Sequence, residues 1–152
     1  MIQHVVCAIR GGSESQETVT SAIDLALKDE TTLTFFHVVD FGCIDCGDIA
    51  RSSAAYREYM EEVESMMRAF CQQAQQRGVS KVDYVVREGE TRQELRQLAA
   101  ETDAEVLVLG HPRSGSGGSI FTEDEFHRFL AELDFAGELH TVQTGVPPDE
   151  AT

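Results

Sequence analysis

The sequence predicts one α/β domain, a five-stranded parallel sheet with helices on both faces. Three observations carry this. Short runs rich in Val and Ile alternate with longer segments whose apolar residues recur every three or four positions. Each strand-like run is separated from the next by a helical one, which implies parallel pairing through right-handed crossovers. The chain has 152 residues, 41% of them hydrophobic and 26% charged, values that suit one conventional core and call for no second domain. The domain is expected over residues 1–145, with 146–152 a polar tail containing Pro147 and Pro148.

Ile2 to Ile9 is a Val/Ile-rich run closed by Gly11 and Gly12, the pattern of a buried strand followed by a turn. Ser13 or Ser15 can cap the next segment, where Val19, Ile23, Ala26 and Leu27 mark one helical face. Thr32 to Val39 is nearly continuous β-branched and aromatic sequence, as expected of a strand covered on both faces. Phe41 to Asp48 reads as a loop. A long helix follows from about Ile49 to Arg77, with Gly78 as its stop.

Within that helix Tyr56, Met60, Val63, Met67, Phe70 and Cys71 draw a stripe down one face. A stripe of Met and aromatic residues is what a helix covering a sheet needs, so it is assigned to core packing and not to a cofactor. Lys81 to Val86 alternates as a third strand, and Thr91 to Thr102 carries Leu95, Leu98 and Ala99 as a short amphipathic helix. Glu105 to Leu109 is an apolar fourth strand. Gly110 to Phe121 is a Gly/Ser-rich loop. Thr122 and Glu125 then form a capping box that opens a helix with Phe126, Phe129, Leu130 and Leu133 on one face. Glu138 to Thr144 completes the sheet. There is no internal repeat.

A formal net charge of −15 repels phosphate backbones and anionic lipid surfaces, so neither nucleic acid nor membrane is an expected partner. The opening residues lack the positive region of a secretory signal, and no apolar stretch is long enough to cross a bilayer, which makes the cytoplasm the default location. Lysine is confined to Lys28 and Lys81, a composition that also fits a high-salt cytoplasm. No structural disulfide is expected there. Two of the four thiols, Cys7 and Cys71, fall inside core elements where free cysteine acts as a small hydrophobe.

Several stretches, in order and spacing together, resemble the universal stress protein family from His4 to about Gly145. Phe35, Phe36, His37, Val38, Val39, Asp40 is similar to that family's second strand and its His-Val-Ile/Val-Asp ending. Val85 to Glu90 followed by Glu94 and Leu95 is similar to its third strand and the entry into the next helix. Asp103 to Gly110 is similar to its fourth strand. The resemblance implies the adenine-nucleotide alpha-hydrolase-like fold with sheet order 3-2-1-4-5. The carboxyl ends of the first and fourth strands would then flank the topological switch point where such folds bind ligands. It also implies a homodimer paired through the last strand, Glu138 to Gln143, since a covered edge is a usual remedy for an exposed strand.

Nucleotide-binding members of the family use an Asp near the end of the first strand and a Gly-x2-Gly-x9-Gly-Ser/Thr loop after the fourth. Both features are altered here. Arg10 stands where the Asp would be, in Ile9, Arg10, Gly11, Gly12, replacing an acceptor with a group that can only donate. After Leu109 and Gly110, Arg113 takes the place of the second glycine, and no Gly-Ser follows at the family spacing. What remains is Arg113, Ser114, Gly115, Ser116, Gly117, Gly118, Ser119. Two readings fit this stretch. One is a rebuilt anion cradle, in which glycine amides, serine hydroxyls, Arg10 and Arg113 donate to phosphate or another small anion, with Val38 beside them and ATP or AMP as the implied ligand. The other is a shortened, flexible linker that binds nothing.

Cys43 and Cys46 form a C-x2-C pair in the loop after the second strand. A structural zinc needs four ligands, so one pair requires His37, Asp48 or a second subunit; as a redox pair it lacks the thioredoxin context. Coincidence or loop structure is the default reading. No Ser/His/Asp set assembles from spacing, and no catalytic residue is assigned; His37 is expected to make a local hydrogen bond at a strand end, and His111 adjoins the Gly/Ser loop. The Glu61, Glu62, Glu64 run is a solvated helical face.

The functional expectation is a non-enzymatic regulatory or stress-associated binding protein with a degenerate or rewritten nucleotide or anion site. The alternative is an ATP-binding protein or slow nucleotide hydrolase using the Gly/Ser loop, for which Asp40, Glu14 and His111 are the available acid–base or metal-binding groups. A response-regulator or flavodoxin relative fits less well, because the third strand carries no phosphoacceptor Asp and Arg10 to Ser13 is no flavin phosphate loop.

Overall fold

The computed structural model describes residues 3–9, 15–28, 31–39, 54–111 and 123–143. The elements alternate: β1 (His4–Ile9), α1 (Ser15–Leu27), β2 (Thr32–Val39), α2 (Ala54–Arg77), β3 (Lys81–Glu88), α3 (Thr91–Glu101), β4 (Val106–His111), α4 (Glu123–Glu132) and β5 (Glu138–Gln143). The strands form one sheet in the order β3-β2-β1-β4-β5. Every neighbouring pair is parallel, with Cys7 opposite Phe35 on one side and Val108 on the other. This is the strand order that the family resemblance implies.

Side chains alternate across the pleat, and this splits the core in two. Val5, Cys7 and Ile9 of β1 pack with Leu33, Phe35 and Val39 of β2 under α1 and α2. Val6 and Ala8 pack with Phe36, Leu107 and Leu109 under α3 and α4. Two helices on each face follow from the topology: the crossovers to β2 and β3 run one way along the sheet, those to β4 and β5 the other, and a constant right-handed crossover puts the two sets on opposite faces.

From Met60 onward the α2 stripe is core, as its chemistry requires, while Tyr56 at its start bonds Glu88 and Tyr59 packs on the cluster instead. Val63 and Met67 are buried, while Met60, Phe70 and Cys71 pack against the same cluster. The helix ends in two hydrogen bonds, Val79 N to Ala74 O at 3.0 Å and Gly78 N to Gln75 O at 3.1 Å. That is a Schellman cap, and Gly78 supplies its left-handed residue with φ at 113°. Buried Val79 and Ala74 provide the accompanying apolar contact.

Some boundaries differ from the sequence expectation. The last helical face of α1 is Val19, Ala22, Ile23 and Ala26, whereas Leu27 is 37% exposed, because the buried arc at 100° per residue passes through position 22 and leaves 27 at its edge. β4 extends to His111 and β3 to Glu88, each two residues further than the apolar runs suggest, since strand pairing continues through polar side chains at the sheet end. Thr122 and the tail at 146–152 lie outside the described residues, as does the Phe126 side chain; Phe129 is buried and Leu130 and Leu133 pack beside it.

Candidate functional site

All five strands point the same way, so their carboxyl ends share one rim of the sheet. Between β1 and β4 the chain departs in opposite directions, α1 to one face and α4 to the other, and such a reversal leaves a crevice at the carboxyl ends. Ile9, Leu109 and Gly110 stand at its base, all buried, with Ala8 opposite Leu109 in register. Val38 is half-buried beside them and packs on the α3/α4 side. Of the residues singled out from the sequence, these four are brought together.

Arg10, Gly11, Gly12, Arg113, Ser114, Gly115, Ser116, Gly117, Gly118 and Ser119 lie outside the described residues, as do Cys43 and Cys46. His111 ends β4, and its side chain lies outside them too.

The described walls of the rim are set by polar contacts that spacing did not reveal. His37, only 6% exposed, donates from Nδ1 to the carbonyl of Ile9 at 2.6 Å. A carbonyl can only accept, so Nδ1 carries a proton. Burial holds the His37 pKa below its ordinary value, against the opposing pull of the Ile9 carbonyl. On the neighbouring edge the Tyr56 hydroxyl, at the start of α2, donates to Glu88 Oε2 at 2.7 Å. Gly89 N donates to Val39 O at 3.0 Å, and the Glu90 carboxylate caps α3 by accepting from Gln93 N at 2.9 Å. The loop from β3 to α3 is thus a fixed wall.

Other polar clusters lie away from the rim. At the sheet's opposite end His4 links Asp103 through Nδ1 at 3.3 Å and Thr34 through Nε2 at 2.9 Å, and Glu105 accepts from the amides of Gln3 and His4. Ser21 on α1 and His140 on β5 are 3.2 Å apart. Arg92 and Arg96 of α3 pair with Glu125 and Glu132 of α4 at 2.7 and 3.0 Å. Glu125, expected to form a capping box with Thr122, which lies outside the described residues, also pairs with an arginine on another helix. Each of these joins residues far apart in sequence, so only the strand register and helix placement bring them into range.

Cys7 is fully buried with its thiol pKa pushed up by desolvation, and Cys71 is pushed up to about 11 by burial and the nearby Asp83 charge. Both behave as inert core thiols. Among the described residues no group of three His, Cys, Asp or Glu side chains could hold a metal ion, and no helix is long and apolar enough to cross a membrane.

Comparison with known proteins places this fold. No curated protein matches the chain. Among solved structures, a universal stress protein family member from Burkholderia pseudomallei is 18% identical, with a TM-score of 0.65 over 93% of this chain and 96% of that one. A universal stress protein in complex with cAMP is 18% identical, with a TM-score of 0.67 over 95% and 98%. The universal stress protein from Archaeoglobus fulgidus in complex with dAMP is 11% identical, with a TM-score of 0.61 over 95% and 98%. The family model described as universal stress protein family matches residues 1–123. On that match, which spans most of the domain, the chain belongs to the universal stress protein family.

Proposed function

We propose that this chain is a non-enzymatic regulatory protein that binds a small adenine nucleotide at the carboxyl-end crevice, through a rewritten rather than a standard phosphate loop. The observation that carries the reading is the reversal of strand order at β1 and β4, which gathers Ile9, Leu109, Gly110 and Val38 at one base. Related structures were solved with cAMP and with dAMP, which supports an adenine nucleotide as the ligand class. In the sequence Arg10 follows directly on β1 and Arg113 comes two residues after the end of β4, where guanidinium donors suit phosphate. The absence of the family's standard glycine spacing supports a different phosphate grip. No Ser/His/Asp set assembles from the sequence, which supports binding without turnover.

The test is calorimetric titration of the nucleotide-stripped protein with ATP, ADP and AMP, with and without magnesium, repeated on Arg113→Ala. The expected result is saturable binding weakened about tenfold in the variant, the equivalent of one lost charge-assisted contact. Absence of heat and of any thermal shift with all three nucleotides would contradict the proposal, and turnover of ATP at a rate above background would contradict its non-enzymatic part.

A further inference from the structure

We propose that His37 is the positioning residue of this crevice, holding the end of β1 in place for the ligand without touching the ligand itself. The inference rests on the nucleotide reading above. Ile9 is the last residue of β1 and is 4% exposed. A buried carbonyl at a strand end must find a donor, and here the donor is a side chain on the neighbouring strand, His37 Nδ1 at 2.6 Å. Ile9 and His37 are register partners, so the bond staples β1 to β2 at the rim.

The staple works from the face away from Val38. Alternation puts His37 with Leu33, Phe35 and Val39 on the α1/α2 face, while Val38 packs on the α3/α4 face. Removing the imidazole therefore takes no contact from a ligand on the Val38 side. It frees the Ile9 carbonyl and lets the base of the crevice shift, and small misplacements of a site's backbone weaken what it binds. No hydrogen bond is formed to His37 Nε2 among the described residues. Among the described residues the ring's one hydrogen bond is the one to Ile9.

Two variants separate this role from general stability. Asn at position 37 keeps a short amide donor near the place of Nδ1; Leu keeps the bulk and has no donor. Titration of the folded full-length variants with AMP should show His37→Leu weakened about tenfold and His37→Asn restoring the affinity to within about threefold. Thermal melts run alongside show whether each chain is folded at the titration temperature. A folded His37→Leu that binds AMP as the parent does would overturn the proposal, and so would equal weakening in both variants.

If the parent protein itself gives no heat with AMP, the nucleotide reading fails separately, and amide exchange reads the staple directly. Exchange at Val38 and Gly110 about tenfold faster in His37→Leu than in His37→Asn, with the α2 amides unchanged, supports the positioning role. Equal exchange in the two variants overturns it.

Discussion

His37 is where a single residue says most. Its pKa is lowered in the folded protein by burial, from an ordinary value of 6.5. The unfolded chain therefore binds a proton that the folded chain resists, so stability is fully present above about 6.5 and falls as pH drops through the lowered folded value. The described titratable groups on the same sheet face include Cys7, Tyr84, Glu88 and His140, the last beside Ser21 of α1, with Tyr59 and Cys71 packed on it from α2. Urea unfolding of the parent and of His37→Asn between about pH 7.5 and about pH 5 checks the sign. The parent should lose stability on acidification more steeply than the variant, which has no imidazole to protonate; parallel curves would remove His37 from the acid response. The sequence marked His37 as a strand-end hydrogen-bonding residue. Its partner, 28 positions earlier, became visible only with the β1–β2 register.

Among the elements, β5 carries the assembly question. Glu138–Gln143 is the edge strand on the β4 side, with Glu138 and Thr141 exposed and Leu139, His140 and Val142 half-buried. Pairing two such edges is the proposed route to a homodimer, since an unpaired edge leaves backbone donors and acceptors open. Proline at 141 removes one backbone donor from the strand, and Thr141→Pro should convert a dimer to a monomer in sedimentation, with circular dichroism run alongside to show that the chain is folded. A parent protein that sediments as a monomer at high concentration, or a variant that still dimerises, speaks against β5 as the interface.

The elements also show what local pattern can and cannot deliver. The α2 stripe and the Gly78 stop were legible because a helix repeats its buried face at a fixed period and because a Schellman cap needs a residue tolerant of positive φ. The misplacement of Leu27 arose because 26 and 27 are both apolar and period alone does not choose between them. The α3–α4 ion pairs were hidden for another reason. Arg92 and Arg96 are four apart on one helix, Glu125 and Glu132 seven apart on the other, and neither spacing signals the partner.

For the whole molecule, alternation of short apolar runs and helices fixes an α/β parallel sheet from physics alone, because each parallel connection needs a crossover. Strand order needed more. It came from matching stretches such as Phe35 to Asp40 and Asp103 to Gly110 to a family, and the order β3-β2-β1-β4-β5 agrees with that match. Of the proposed site, Ile9, Val38, Leu109 and Gly110 stand at the carboxyl ends of the strands around the switch point, a place that follows from the strand order. The other candidates, Arg10 to Gly12 and Arg113 to Ser119, lie outside the described residues, and their proposed part rests on residue type and chain position. A net charge of −15 sharpens the point, because a chain that repels anions at long range needs local donors to hold one.

The most direct measurement is an amide chemical-shift titration of the labelled protein with AMP. The account predicts saturable shifts concentrated at Ile9, Val38, Leu109 and Gly110 and extending into residues 10–12 and 113–119, with little change at His4, Thr34 and Asp103 on the opposite end of the sheet. Shifts centred at that opposite end, or none at the β1 and β4 ends at saturating AMP, would contradict a nucleotide crevice at the switch point.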